Sequence, residues 1–296
     1  MSAAQALQQR AERLAAVLPP LLVHAERVAA TVAQGVHGRR RVGTGGTFWQ
    51  FRRYEPGDSV QRIDWRRSAR SDLLFVRETE WEAAASVWLW CDLSPSMAYR
   101  SAPKLPEKGE RAALLLLALA ALLVRGEEHV ALLGSGLPPR PGRGTLNRMA
   151  LLLARRRRAT DGSGSLPAYE LLPRHGQVVL IGDLLAPLDE TDRLVRRFSA
   201  QGVKGHLVQV LDPAEESLPF SGRNRFEGLE EEGHVLVRRV EAVRDAYVER
   251  LAAHRRGLMD IARAVGWDYL AHRTDRPPEP TLLSLYTTLS ARWGRR

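Results

Sequence analysis

The chain has 296 residues, 44% of them hydrophobic and 26% charged, which suits one large domain or two modest ones and excludes wholesale disorder. Its one cysteine, Cys91, excludes an internal disulfide framework and any multi-cysteine zinc site. The formal charge is +10, but 41 of the 44 basic residues are arginine, and Gly38 to Arg77 alone carries ten arginines against four acids, a local excess of +6. A strong arginine bias reflects genome composition as readily as nucleic-acid binding, so net charge alone assigns no polyanionic partner.

Ser2 to Gln34 reads as helix, interrupted at Pro19 and Pro20, where proline ends or kinks the run. Leu21, Leu22, Ala25, Val28, Ala29 and Val32 share one face at helical spacing. This arm, residues 1–34, is expected to pack on the body of the protein; a free partner-binding arm is the alternative. The N-terminus lacks the basic, apolar, small-residue order of a signal peptide. The longest apolar run, Ala112 to Val124, is about one third too short to span a bilayer as a helix. A buried core helix and a cytoplasmic protein are expected.

Residues 35–85 differ in kind, being rich in glycine, arginine and aromatics, with Pro56-Gly57-Asp58 marking a turn. Short strands and loops are expected, packed on the main domain. Asp58 and Asp64 stand among Arg52, Arg53, Arg62, Arg66, Arg67 and Arg70, so bidentate arginine–carboxylate pairs would clamp the segment. Trp49, Tyr54 and Trp65 would anchor it by burial. The functional alternative is a basic surface for an acidic partner or for single-stranded nucleic acid stacked on the aromatics.

Residues 86–296 alternate. Strands are expected at Ser86–Cys91, His129–Gly134, Gln177–Ile181, Gly205–Leu211 and Trp267–Ala271. Helices are expected at Lys108–Arg125, Thr145–Arg157, Glu190–Gln201 and Val240–Val265. Strands apolar on both faces and separated by helices define a doubly wound α/β domain with a mostly parallel sheet and helices on both faces.

Ligands of such sheets bind beyond the carboxyl ends of the strands. There the chain places Asp92, Ser94 and Ser96 after the first strand and Asp183 after the third, with Thr145 opening a helix between them. Two carboxylates and three hydroxyls are hard oxygen donors of the kind Mg²⁺ prefers, and Mn²⁺ or Ca²⁺ accepts them too. Alternate side chains leaving a strand can converge on one point. Two carboxylates would leave an ion under-neutralised, so it would attract a further carboxylate from a partner. The bland alternative is that Asp92 and Ser94 cap a helix or stabilise a turn.

Other chemistry is poorly represented. The phosphate loop G-x-x-x-x-G-K-[ST] and the hydrolase elbow G-x-S-x-G are both absent. Ser94 stands where an aspartyl phosphotransferase would place a second acid. The eight histidines lack metal-binding spacing, and Cys91 reads as packing.

Asp92-x-Ser94-x-Ser96, Thr145 and Asp183 resemble, in order and fold context, the metal-ion-dependent adhesion site of von Willebrand factor type A domains; Gly182 stands where serine is common. Gly43-x-Gly45, Phe51-Arg52-x-Tyr54-x-Pro56-Gly57-Asp58, Arg62-Ile63-Asp64-Trp65 and Ser68-Ala69-Arg70 resemble the signature of the bacterial "domain of unknown function fifty-eight" family. Tyr247, Gly266-Trp267-Asp268-Tyr269 and Thr274-Asp275 also fit, so the resemblance runs from about Gly35 to Leu289. It implies a factor working beside MoxR-type AAA+ ATPases and other type A-domain proteins in a chaperone-like or assembly role. The expectation is divalent-metal-dependent binding of a protein that presents a carboxylate, not enzymatic turnover. A nucleic-acid-binding protein and a metal-dependent hydrolase are the alternatives; no general base beside the site is evident for the latter.

Overall fold

The computed structural model describes residues 25, 27–33, 48–54, 63, 65–69, 73–79, 86–158, 164–229 and 233–293. The chain divides into two compact units, His37–Ala84 and the pair of segments Met1–Val36 and Ala85–Arg296. In the smaller unit, strands β1 (Phe48–Arg53) and β2 (Phe75–Thr79) pair antiparallel, with Phe51 opposite Arg77 and Arg53 opposite Phe75. One helical turn, α1 (Trp65–Ser68), lies between them in sequence. It is tied to β2 by the Phe75 amide, which donates to Ser68 Oγ at 2.9 Å.

The larger unit runs β3 (Ser86–Cys91), α2 (Lys108–Arg125), β4 (His129–Leu132), α3 (Arg143–Arg158), β5 (Gln177–Gly182), α4 (Leu188–Ala200) and β6 (Lys204–Leu211). There follow α5 (Pro213–Ser217), the hairpin strands β7 (Asn224–Glu227) and β8 (His234–Val237), α6 (Glu241–Ala264), β9 (Asp268–Arg273) and α7 (Pro278–Trp293). Five strands form one parallel sheet in the order β4-β3-β5-β6-β9. The α/β architecture expected of the sequence is therefore present, and the expected strands fall on the sheet. Helix α1 of the smaller unit, and α5, the β7–β8 hairpin and α7 of the larger, were not anticipated.

Side chains of a strand alternate between faces, and here the alternation divides the core in two. Val87, Leu89, Cys91, Val179 and Ile181 point to one side, where they meet α2, α3 and α7. Trp88, Trp90, Val178 and Leu180 point to the other, against α4 and α6. Ala25, Val28, Ala29 and Val32 join the first core, so residues 27–33 form a helix packed into it. Pro19 and Pro20, expected at the helix break, and Leu21 and Leu22, expected on the apolar face, lie outside the described residues.

The helix α2 is apolar around nearly its whole circumference, and Ala112 to Leu123 are all buried. A helix of that pattern belongs in the centre of a core. Each of its fully buried leucines contributes about 1.5–3 kcal/mol relative to exposure. On the opposite face Gly205 is pressed against Trp267, whose ring carbons lie 2.3–2.4 Å from where a Cβ would stand, so no side chain fits there. Among the described residues no helix is long and apolar enough to cross a membrane.

Candidate functional site at the carboxyl ends of the central strands

Strand β3 has β4 on one side and β5 on the other. The chain leaves β3 to build outward in one direction and then returns to build in the other, so a crevice opens beyond β3 and β5. The Asp92 amide donates to Ile181 carbonyl oxygen at 2.8 Å, extending the pairing of β3 with β5 by one residue. Asp92 Oδ1 then accepts the Ser94 amide at 2.8 Å. This side-chain turn reverses the chain at the strand end. It sets Ser94 at the start of the single 3₁₀ turn Pro95–Ala98.

Three of the five expected donors meet side chain to side chain, and Asp92 is joined to them through the Ser94 amide. Ser94 Oγ and Ser96 Oγ are 3.0 Å apart, and Ser96 Oγ donates to Asp183 Oδ2 at 3.0 Å. Asp92 is 0%, Asp183 1% and Ser94 2% exposed, whereas Ser96 is half-buried. Asp183 Oδ1 accepts the Leu185 amide at 3.3 Å, and Gln209 Nε2 donates to the Asp183 carbonyl oxygen at 2.9 Å. Gly182 packs directly against Asp92: a Cβ there would stand 2.7 Å from Asp92 Cβ and 3.2 Å from Asp92 Oδ2. Serine, common at this position in the family the site resembles, would drive its Cβ into that of Asp92.

Thr145 is the donor that does not join. It lies in the first turn of α3, and its hydroxyl donates to Pro141 carbonyl oxygen at 3.2 Å. A threonine in a first helical turn readily bonds back to the backbone in this way.

Two further groups complete the crevice. Lys108, the first residue of α2, is 1% exposed, and its Nζ lies 3.0 Å from Asp183 Oδ2 and 2.7 Å from Glu215 Oε1. Glu215 belongs to α5, where its Oε2 accepts the Asp212 amide at 2.9 Å and Asp212 Oδ1 accepts the Ala214 amide at 2.8 Å. The reciprocal pair is a capping box, so Glu215 is rigidly held. Asp212 is itself buried and also accepts the Ser101 amide at 3.0 Å. Tyr247 donates from its hydroxyl to the Glu215 carbonyl oxygen at 2.7 Å.

Burial works against the Lys108 ammonium, but Asp183 and Glu215 outweigh it, and the pKa of Lys108 lies above its ordinary value. Burial pushes Glu215 up, and the neighbouring ammonium only partly restrains it. Tyr99 and Tyr247 are raised as well, by burial and then by nearby acids, Asp212 and Glu215 for Tyr99 and Glu215 for Tyr247. Both phenols are therefore neutral near pH 7.

Lys108 and Glu215 were missed in the sequence, although a signal existed for the first. The chain has three lysines, and one of them opens its most apolar helix. A cation at a helix N-terminus opposes the macrodipole, so a lysine there needs acids nearby.

The donors present fit a hard divalent cation: two carboxylates and two hydroxyls from adjacent strand ends, with Ser96 giving access to solvent. Among the described residues no group of three or more His, Cys, Asp or Glu could hold a metal ion. Such an ion would therefore depend on the serine hydroxyls, and it would meet Lys108 at Asp183.

In the smaller unit, Arg52 and Arg53 fall in β1 and Tyr54 follows it, its amide donating to Leu74 carbonyl oxygen at 2.9 Å. Trp65 is 60% exposed. It is not the buried anchor expected of it, whereas Ser68, three positions on in the same turn, is buried. Asp58, Arg62, Asp64 and Arg70 lie outside the described residues.

The chain belongs to the family described as "Protein of unknown function DUF58", which matches residues 50–257. Uncharacterized proteins of Mycobacterium bovis and Mycobacterium tuberculosis are 30% identical to it over 277 residues, spanning 89% of this chain and 86% of theirs. Among solved structures it is similar to an aerotolerance-related membrane protein of Bacteroides fragilis at 17% identity and TM-score 0.43, covering 72% of this chain and 100% of that one. A conserved hypothetical protein BatB of Bacteroides thetaiotaomicron follows at 15% identity and TM-score 0.38, with the same coverages.

Proposed function

We propose that this protein is a divalent-metal-dependent protein-binding factor of adaptor or assembly type, built on a von Willebrand factor type A-like domain. Asp92, Ser94, Ser96 and Asp183 would hold Mg²⁺, or Mn²⁺ or Ca²⁺ in its place, and a carboxylate of the partner would complete the shell. The observation that carries this reading is the hydrogen-bonded run Ser94–Ser96–Asp183, which joins the ends of two neighbouring strands beside Asp92. Its two 3.0 Å oxygen separations match the spacing of roughly 2.9 Å between adjacent oxygens around an octahedral ion with bonds of about 2.0–2.1 Å. The charge supports it too: Asp183 and Glu215 flank one ammonium, and Asp92 adds a buried carboxylate at the end of the neighbouring strand, leaving room for added positive charge. Thr145 is left out of the resting set and would need α3 to shift before joining.

The partner we favour is a MoxR-type AAA+ ATPase or a second type A-domain protein, met in the cytoplasm. The purified chain, immobilised as bait for such an ATPase with and without chelator, tests the reading. Capture should require the divalent ion and should vanish in Asp92→Ala while the circular dichroism spectrum stays unchanged. Capture that survives both chelation and the substitution refutes the proposal.

A further inference from the structure

Lys108 is placed against the usual preferences of a lysine. Its ammonium is fully buried, and it sits at the end of α2 where the helix dipole disfavours positive charge. Burying an ammonium costs several kcal/mol unless partners compensate. A methionine or leucine there would extend the apolar helix at no such cost. The lysine must therefore be read together with its two partners, which come from separate elements: Asp183 at the end of β5 and Glu215 in α5.

The two partners differ. Asp183 Oδ2 is shared, accepting both Lys108 Nζ and Ser96 Oγ at 3.0 Å. Glu215 gives Oε1 to the lysine at the shorter 2.7 Å, and its other oxygen is fixed by the Asp212 amide. One acid thus belongs to the metal-type cluster and the other holds the lysine from behind. A lysine stem has four rotatable bonds, so its head can shift toward one acceptor without moving the helix.

We propose that Lys108 is the resident counter-cation of the crevice, and that Glu215 is the acceptor onto which it withdraws when a divalent ion takes Asp183. The inference rests on the metal-binding reading above and adds what sets the affinity: Lys108 opposes the ion, and Glu215 removes that opposition by retaining the lysine. Glu215 therefore acts through Lys108 and not as a ligand.

Titration of the full-length chain with MgCl₂ alone, followed by calorimetry, tests this as a double-mutant cycle. Lys108→Met should tighten Mg²⁺ binding roughly tenfold, and Glu215→Gln should weaken it by a similar factor, within the usual range of coupling between sites. In the Lys108→Met background the Glu215→Gln change should have almost no effect, because the residue it acts through is gone. Asp92→Ala should abolish binding in every background. If Glu215→Gln weakens binding equally with and without Lys108, the effect is plain long-range charge and the inference fails. If Asp92-dependent binding is indifferent to both substitutions, the inference fails while the metal reading stands. If no variant takes up Mg²⁺, Lys108→Met included, both fall. Glu215→Gln keeps the Lys108–Asp183 pair, and the double variant removes one charge of each sign, so both remain informative if Lys108→Met alone folds poorly.

Discussion

Ser96 Oγ reaches Asp183 Oδ2 at 3.0 Å across 87 positions of sequence, and this one hydrogen bond ties the loop after β3 to the end of β5. Ser96→Ala should remove it at a cost of about 1 kcal/mol, the usual net worth of such a bond, more where the carboxylate is buried. Urea unfolding should show a lower midpoint with an unchanged slope. Mg²⁺ uptake should weaken in the same variant, because the lost hydroxyl is also a donor of the cluster.

Lys108→Ala should be far more damaging to stability. It removes one partner of a buried ion pair and leaves Asp183 and Glu215 facing a cavity, a change that typically costs about 3–5 kcal/mol. Chemical denaturation of this variant beside Asp183→Asn/Lys108→Met, which removes charge of both signs, should show the double variant to be the more stable of the two.

Gly182→Ser, which introduces the residue common in the type A domains that the site resembles, should lower stability and metal uptake together. Its Cβ would stand 2.7 Å from Asp92 Cβ, a backbone-rooted atom that cannot simply swing away. Overpacking of this kind costs about 1–3 kcal/mol. A thermal melt unchanged from that of the parent would show that the β3 end has slack to yield.

His272 should make the fold acid-sensitive. Burial and then the Arg111 guanidinium hold its pKa down to about 4, against an ordinary 6.5. Its neutral ring is fixed, Nδ1 lying 2.9 Å from Thr281 Oγ1 and Nε2 3.4 Å from Arg111 Nη1. Between those two values the unfolded chain binds a proton that the folded chain refuses, so this contribution is complete above pH 6.5 and is lost as pH falls toward 4. The loss amounts to about 3 kcal/mol. Unfolding free energies measured from pH 7 to pH 4.5 should fall more steeply in the parent than in His272→Asn.

The parallel sheet was legible because strands such as Ser86–Cys91 and Gln177–Gly182 are buried on both faces, and so read as unbroken apolar runs. The β7–β8 hairpin was not, since it keeps mostly polar or exposed residues and has no buried face to write a pattern. Helix α7 was hidden by its opening Pro278-Glu279-Pro280, which reads as a breaker although proline is welcome in a first turn. Asp92, Ser94, Ser96 and Asp183 could be placed because the end of a strand predicts where its next residues stand. Glu215 could not, because an ion pair 107 positions apart leaves no local trace at the acid, whereas Lys108 was marked only by its odd place at the head of an apolar helix. Thr145 was assigned to the cluster by its place before a helix, and the hydroxyl turned instead to Pro141.

The helix α2 runs through the first core with hardly an exposed residue until Val124, and its opening residue carries the crevice's ammonium. The backbone of Lys108 and the shaft are one rigid piece, although the lysine head can still swing at its end. A substitution deep in the leucine packing that turns the shaft by a few degrees would re-aim the charge at its end, far from any surface change. Repacking the interior of this protein and re-siting its buried ammonium are therefore coupled operations.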